Sequence, residues 1–137
     1  MENQNQACWA YVERDLTRSP VLGVEVLGPL RHTQGETLVA IDTGYEGFVL
    51  LSEDKYAQLG LRLAEVPRIY WPEAETVTGE VFRLRRALAM VQIPKAGIEL
   101  EGYIDTFRGN TEDLLGLTLI NNLKLLLEGR KKLACLL

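Results

Sequence analysis

One acid in this sequence stands where an acid is costly. Asp42 follows the apolar run Leu38-Val39-Ala40-Ile41, and after Thr43-Gly44-Tyr45-Glu46-Gly47 comes a second apolar run, Phe48-Val49-Leu50-Leu51. A carboxylate taken out of water must be paired, hydrogen-bonded or partly protonated, because desolvation disfavours the ionised form. Thr43 brings a hydroxyl that both donates and accepts, and Gly44 lets the backbone turn with an amide close to the acid. Asp-Thr-Gly is therefore a compact way to hold a carboxyl group rigidly at a sharp turn. The competing assignment is an Asp-started surface turn after a strand, and the surroundings must decide.

Elements on both sides are built to position that turn. Ser19-Pro20 breaks the chain before a strand from Val21 to Leu27, Gly28-Pro29 bends it, and Thr33-Gln34-Gly35 reverses it into a strand from Glu36 to Ile41 that delivers Asp42. Phe48 to Leu51 reads as a strand buried on both faces. Ser52 is then an N-cap, Glu53 and Asp54 complement the dipole of a helix from Glu53 to Leu59, and Gly60 is its C-terminal cap. A later strand runs through Phe82 and Leu84 to Ile93, turns at Pro94-Lys95-Ala96-Gly97, and returns as Ile98 to Phe107. On that return strand Glu99 and Glu101 alternate with Ile98, Leu100 and Tyr103. Arg108-Gly109-Asn110 is a loop, Leu114 and Leu115 resume the buried chain, and Leu123 to Leu127 and Lys131 to Leu137 form a last hairpin around Glu128-Gly129-Arg130.

Composition limits what the chain does. With 137 residues, 47% hydrophobic and 25% charged, it suits one globular domain with a core of its own. A net charge of −4 and a pI near 5.1 argue against a nucleic-acid surface. The basic clusters Arg83-Leu84-Arg85-Arg86 and Arg130-Lys131-Lys132 read as solvated, the first on a strand face and the second at a hairpin turn. A single histidine, His32, removes His-rich metal motifs, and Cys8 and Cys135 are too distant in sequence for a local Cys-x-x-Cys site, so no metal or cofactor is expected. The two cysteines read as free thiols packed as small hydrophobes. The polar start Met1-Glu2-Asn3-Gln4-Asn5-Gln6 carries no signal-peptide pattern and no apolar run is long enough to span a membrane, so the expected compartment is the cytoplasm.

The run Ala40-Ile41-Asp42-Thr43-Gly44, the apolar strand after it, and the helix opening at Leu51-Ser52 and closing at Leu59-Gly60-Leu61 resemble a retropepsin-type aspartic protease. The nearest likeness is to small bacterial and archaeal members, in which an aromatic residue follows the Gly as Tyr45 does here. A second match, Asp113-Leu114-Leu115-Gly116 followed by Leu117-Thr118-Leu119-Ile120-Asn121-Asn122, is similar to the family's hydrophobic-hydrophobic-Gly motif and its helix. The resemblance covers roughly residues 21 to 137 as one aspartic-protease-like domain. It leaves 1 to 20, with Trp9 and Tyr11 on one face of a short strand, as a segment packed on the body or at a dimer interface.

The resemblance implies an all-β fold: a closed β-barrel with a short helix after the active-site strand and another near the C-terminus. It implies Asp42, Thr43 and Gly44 as catalytic residues, with Leu114, Leu115 and Gly116 packed beside them. A β-hairpin flap spanning Arg68 to Phe82, with Thr78-Gly79 at its tip, would close over the site. Tyr45, Trp71, Val77, Thr78 and Gly79 would contact an extended peptide or unfolded protein substrate. The acids Glu73, Glu75 and Glu80 on that hairpin would disfavour acidic substrates, or else be ordinary solvated charges. A chain this short has one Asp-Thr-Gly, so the second carboxyl would come from a second copy on a two-fold axis. The other acid considered, Asp105 in Tyr103-Ile104-Asp105-Thr106-Phe107, lacks the Gly and is assigned to a strand end.

Where the family often has Arg after the motif's Gly, this chain has Leu117, which leaves apolar contact to hold the interface. Leu133-Ala134-Cys135-Leu136-Leu137 is assigned to a dimer sheet in which the terminal strands of two subunits interleave, and there Cys8 and Cys135 could approach each other as a redox control. Three readings follow: a homodimeric aspartic endopeptidase, the same dimer as a peptide-binding module with little turnover, or a β-barrel interaction protein in which Asp42 only caps a turn.

Overall fold

In the computed structural model residues 6–30 and 35–137 are described. His32, the Thr33-Gln34 part of the expected reversal and the start Met1–Asn5 lie outside them. The strands in chain order are β1 (Ala7–Ala10), β2 (Val12–Arg14), β3 (Thr17–Ser19), β4 (Val21–Leu27), β5 (Thr37–Ile41), β6 (Val49–Leu50), β7 (Glu73–Glu75), β8 (Val81–Arg83), β9 (Arg85–Ile93), β10 (Ile98–Thr106), β11 (Leu114–Leu115), β12 (Leu125–Glu128) and β13 (Leu133–Leu136). Two short helices, α1 (Glu53–Gln58) and α2 (Leu117–Ile120), accompany them.

Six strands close into a barrel in the order β10-β6-β11-β5-β4-β9, with β9 and β10 paired antiparallel along their whole length. β-Branched and aliphatic residues fill it: Leu22, Val24, Val39, Val49, Ile104 and Leu115 are fully buried. Each such side chain contributes about 1.5–3 kcal/mol by leaving water. The chain crosses itself at β11. Leu114-Leu115 runs parallel to β5 and antiparallel to β6, so the second motif is wedged between the strand entering the Asp-Thr-Gly turn and the strand leaving it.

Helix α1 forms where its caps predict. The Ser52 hydroxyl accepts the Lys55 N–H at 3.4 Å, Glu53 and Asp54 occupy the first turn, and Gly60 takes φ +71° just past Leu59. Asp113 ties α1 to the approach to β11 by accepting the Ser52 N–H at 2.9 Å and an ion pair from Lys55. Tyr56 and Leu61 are buried beneath this corner.

Three expectations are corrected. Arg68–Tyr70 is a 3-10 turn and not part of the hairpin, which is confined to β7 and β8. Tyr103 shares the outer face of β10 with Glu99 and Glu101, opposite Ile98 and Leu100, because strand side chains alternate with period two. The two cysteines are not free thiols. Cys8 and Cys135 lie directly opposite each other in the β1–β13 pairing and form a disulfide.

The N-terminal residues pack on the body, with Trp9 4% exposed, and Val12 to Ser19 form a small hairpin, β2–β3, that the sequence did not announce. The terminal sheet has the order β1-β13-β12, so the C-terminal strand already has neighbours from its own chain on both sides. An interleaved sheet would require one of them to leave.

Candidate active site

Backbone hydrogen bonds from the β11 crossing hold the Asp-Thr-Gly turn. The Asp42 N–H donates to the Leu115 carbonyl at 3.0 Å, and the Tyr45 N–H closes the turn onto the Asp42 carbonyl at 3.2 Å. From the other side the N–H groups of Gly116, Leu117 and Thr118 donate to the carbonyls of Phe48, Tyr45 and Gly47 at 2.9, 2.8 and 3.1 Å. The Thr118 hydroxyl reaches the Glu46 carbonyl at 2.5 Å. Glycine is required at 116, since a Cβ there would sit 2.0 Å from the Gly47 carbonyl oxygen. The loop that carries the acid is thus stitched along most of its length to the segment Leu115–Thr118.

Within that frame Asp42 is half-buried, while Thr43 and Gly44 are exposed. The Gly44 N–H donates to Asp42 Oδ1 at 2.9 Å, and among the described residues no basic side chain forms an ion pair with this carboxylate. The geometry is that of a carboxyl group kept in place by backbone.

Tyr45 points away from the turn into a buried polar network. Its hydroxyl donates to Asp105 Oδ2 at 2.5 Å, and Arg86 grips the same carboxylate through Nε to Oδ1 at 2.8 Å and Nη2 to Oδ2 at 2.9 Å. Asp105 has no exposed surface. Burial, reinforced by the neighbouring Asp105 charge, pushes the Tyr45 phenol well above its ordinary value, and the bidentate bond to Asp105 raises Arg86 despite desolvation. Arg86 and its neighbour Arg85 are not the solvated charges expected from the basic cluster. Arg85 bonds Glu65 at 2.8 and 2.9 Å and lies over the Trp71 ring.

A cleft of about 840 Å³ opens beside this network. The turn residues Gly44 to Phe48 form one wall, Pro72 to Glu75 of the hairpin another, and Glu101 to Tyr103, Arg86 and Asp105 the base. The hairpin turn itself is well formed: the Thr76 N–H donates to the Glu80 carbonyl at 2.8 Å, and Gly79 takes φ +90°. Of the expected substrate contacts, Tyr45 lines the cleft. Trp71 instead donates its indole N–H to the Val66 carbonyl at 3.0 Å and stacks beneath Arg85, and Val77, Thr78 and Gly79 stand at the hairpin tip outside the cleft lining, Val77 fully exposed. Leu114 and Leu115 are buried behind the turn.

Arg86 and Asp105 were not expected at the cleft. A signal existed: Asp105 is the one charge in the stretch Tyr103-Ile104-Asp105-Thr106-Phe107, on a strand whose antiparallel partner carries the basic cluster, and a buried acid needs a partner.

No family model matches the chain. An uncharacterized protein from Archaeoglobus fulgidus is 30% identical over 115 residues, which covers 80% of this chain and 87% of that protein. The chain belongs to that protein's family. Solved structures supply the fold. A retropepsin-like aspartic protease from Rickettsia conorii superposes with a TM-score of 0.57 at 16% identity, over 96% of this chain and 89% of its own. The retroviral protease-like domain of Ddi1 from Leishmania major gives 0.51 at 14% identity over 82% of each chain. The EIAV protease, in complex with an inhibitor, gives 0.52 at 15% identity over 81% of this chain and 93% of its own. The fold is retropepsin-like, as the two sequence motifs imply. Among the described residues of this retropepsin-like chain no group of three or more His, Cys, Asp or Glu could hold a metal ion, and no helix is long and apolar enough to cross a membrane.

Proposed function

We propose that this retropepsin-like protein is an aspartic endopeptidase that works as a homodimer, each subunit contributing Asp42. The observation that carries this reading is the state of Asp42: fixed by backbone at the motif turn, half-buried, without an ion-pair partner among the described residues, and two residues from the lining of the 840 Å³ cleft. One Asp-Thr-Gly per chain supplies half of the catalytic pair, so the second copy completes it. The outer edge of the terminal sheet offers apolar surface for that copy, since Leu126 and Leu127 on β12 and Leu137 beyond β13 are each 40–49% exposed.

Two carboxyls a hydrogen bond apart cannot both ionise cheaply, so the pair shares one proton. The ionised member takes a proton from a water lying between them as its oxygen bonds to the scissile carbonyl carbon. The protonated member hydrogen-bonds the carbonyl oxygen, and the carboxyl that took the water's proton passes it to the leaving nitrogen as the C–N bond breaks. Thr43, exposed in the single chain, would brace the pair from the partner side. The β7–β8 hairpin would act as the flap over the bound peptide.

The test is digestion of unfolded casein from about pH 3 to 8 by wild type and by Asp42→Asn. Cleavage with a bell-shaped or acid-shifted profile, abolished in the variant, is the expected result. Absence of cleavage by a dimeric wild type would overturn the peptidase and leave the groove as a peptide-binding site.

A further inference from the structure

Arg86 presents more hydrogen-bonding capacity than its ion pair uses. Asp105 takes Nε and Nη2, and among the described residues no protein acceptor faces Nη1. The guanidinium lies 4.9 Å from the centre of the Tyr103 ring, and the side chain remains 21% exposed. Its position is the informative part. Arg86 and Tyr103 line both the 840 Å³ cleft and a second cavity of about 490 Å³ whose other walls are Val66, Pro67 and Tyr70. Arg86 therefore stands where the two cavities meet.

We propose that Arg86 is a substrate-contacting residue, whose Nη1 edge donates to an amide carbonyl of a peptide running from the cleft into the Tyr70–Tyr103 cavity. This rests on the reading of the cleft as a peptide groove. The charge on Arg86 is already balanced by Asp105. The cleft also carries Glu46, Glu73, Glu75 and Glu101, all exposed and none in an ion pair among the described residues. An anionic acceptor is repelled there, whereas a neutral carbonyl with a strong dipole is not. Tyr45 and Asp105 fix the fork, so little freedom is lost when the acceptor arrives. Arg85 is the internal control. It is held by a carboxylate and an aromatic ring in the same manner but lines neither cavity.

The experiment compares wild type, Arg86→Lys and Arg85→Lys on synthetic peptides spanning the bonds that wild type cuts in casein, with thermal melts confirming that each protein is folded. Lys still neutralises Asp105 but cannot present the planar second edge. KM is expected to rise about tenfold for Arg86→Lys, the worth of one hydrogen bond, with a smaller change in kcat and none in the Arg85 variant. If the rise disappears for peptides lacking Gln and Asn, the carbonyl belongs to a side chain; if it persists, to the main chain. Equal KM in wild type and the Arg86 variant, or an equal rise in both variants, overturns the proposal.

Should Arg86→Lys not fold, Arg86→Met with Asp105→Leu removes both charges together and is read in the same way. If wild type cuts no casein, the peptidase reading fails by itself. The Arg86 inference is then read from binding of synthetic casein peptides. Weaker binding by the Arg86 variant supports it, and equal or absent binding overturns it.

Discussion

Two carboxylates separated by one tyrosine side chain are treated in opposite ways. Asp42 is half-exposed and held by a backbone amide, whereas Asp105 is wholly buried under three charge-assisted or phenolic hydrogen bonds. Tyr45 connects them, since its backbone closes the Asp42 turn and its hydroxyl caps Asp105. The difference teaches how a fold separates reactivity from stability. Asp42, the acid proposed to do the chemistry, is given a rigid perch and no ion-pair partner among the described residues. An acid that must hold two strands and a loop together is desolvated and permanently paired. Acidity of residue type predicts neither role.

Substitution of each acid breaks the comparison most directly. Asp42→Asn is expected to lower peptide cleavage by about 10²–10⁴ while leaving the melting temperature nearly unchanged. Asp105→Leu is expected to lower stability by about 3 kcal/mol in urea denaturation, because Arg86, largely but not wholly buried, loses its partner. Equal destabilisation by the two would remove the distinction.

Next in size is the staple of the terminal sheet. Cys8 and Cys135 are 127 residues apart in sequence, so their bond closes nearly the whole chain into a loop. Replacing both with Ala should cost about 2–5 kcal/mol, and dithiothreitol should cost wild type a similar amount and the variant nothing.

The phenols sharpen the stability side. Tyr56, buried and donating to Glu65 at 2.8 Å, is raised above its ordinary value by desolvation, as is Tyr45. Above the unfolded value of about 10, the unfolded state loses phenolic protons that the folded state retains. Stability from these tyrosines is therefore complete below about pH 10 and declines as pH rises past it, by up to about 1.4 kcal/mol per group at pH 11. Urea melts at pH 9 and 11 should show the decline, and Tyr56→Phe should reduce its slope. The smallest effect is expected at the α1 cap, where Ser52→Ala should cost about 1 kcal/mol in the same denaturation assay.

Much of the site's scaffold was legible because it is local. The Asp-Thr-Gly turn between apolar runs, the Ser52 cap with its acidic first turn, Gly60 and Gly79 at positive φ, and the alternating strands each depend on residues a few positions apart. The two motifs in order were enough to anticipate a retropepsin-like barrel. The hairpin is shorter than the sequence implies because Arg68–Tyr70 turns to seat Trp71 under Arg85 of β9, a contact that local pattern does not reveal.

What only the tertiary structure decided is register. Arg86 opposite Asp105, Cys8 opposite Cys135, and β13 enclosed by β1 and β12 all arise from pairing between strands distant in sequence. A one-residue slip would send each side chain to the other face, so composition and periodicity alone could not say whether a basic cluster meets water or a buried acid. The sequence by itself determined which residue types were available and which turns they favour. The closed barrel determined which of them meet, because its strands pair around one core in a single register.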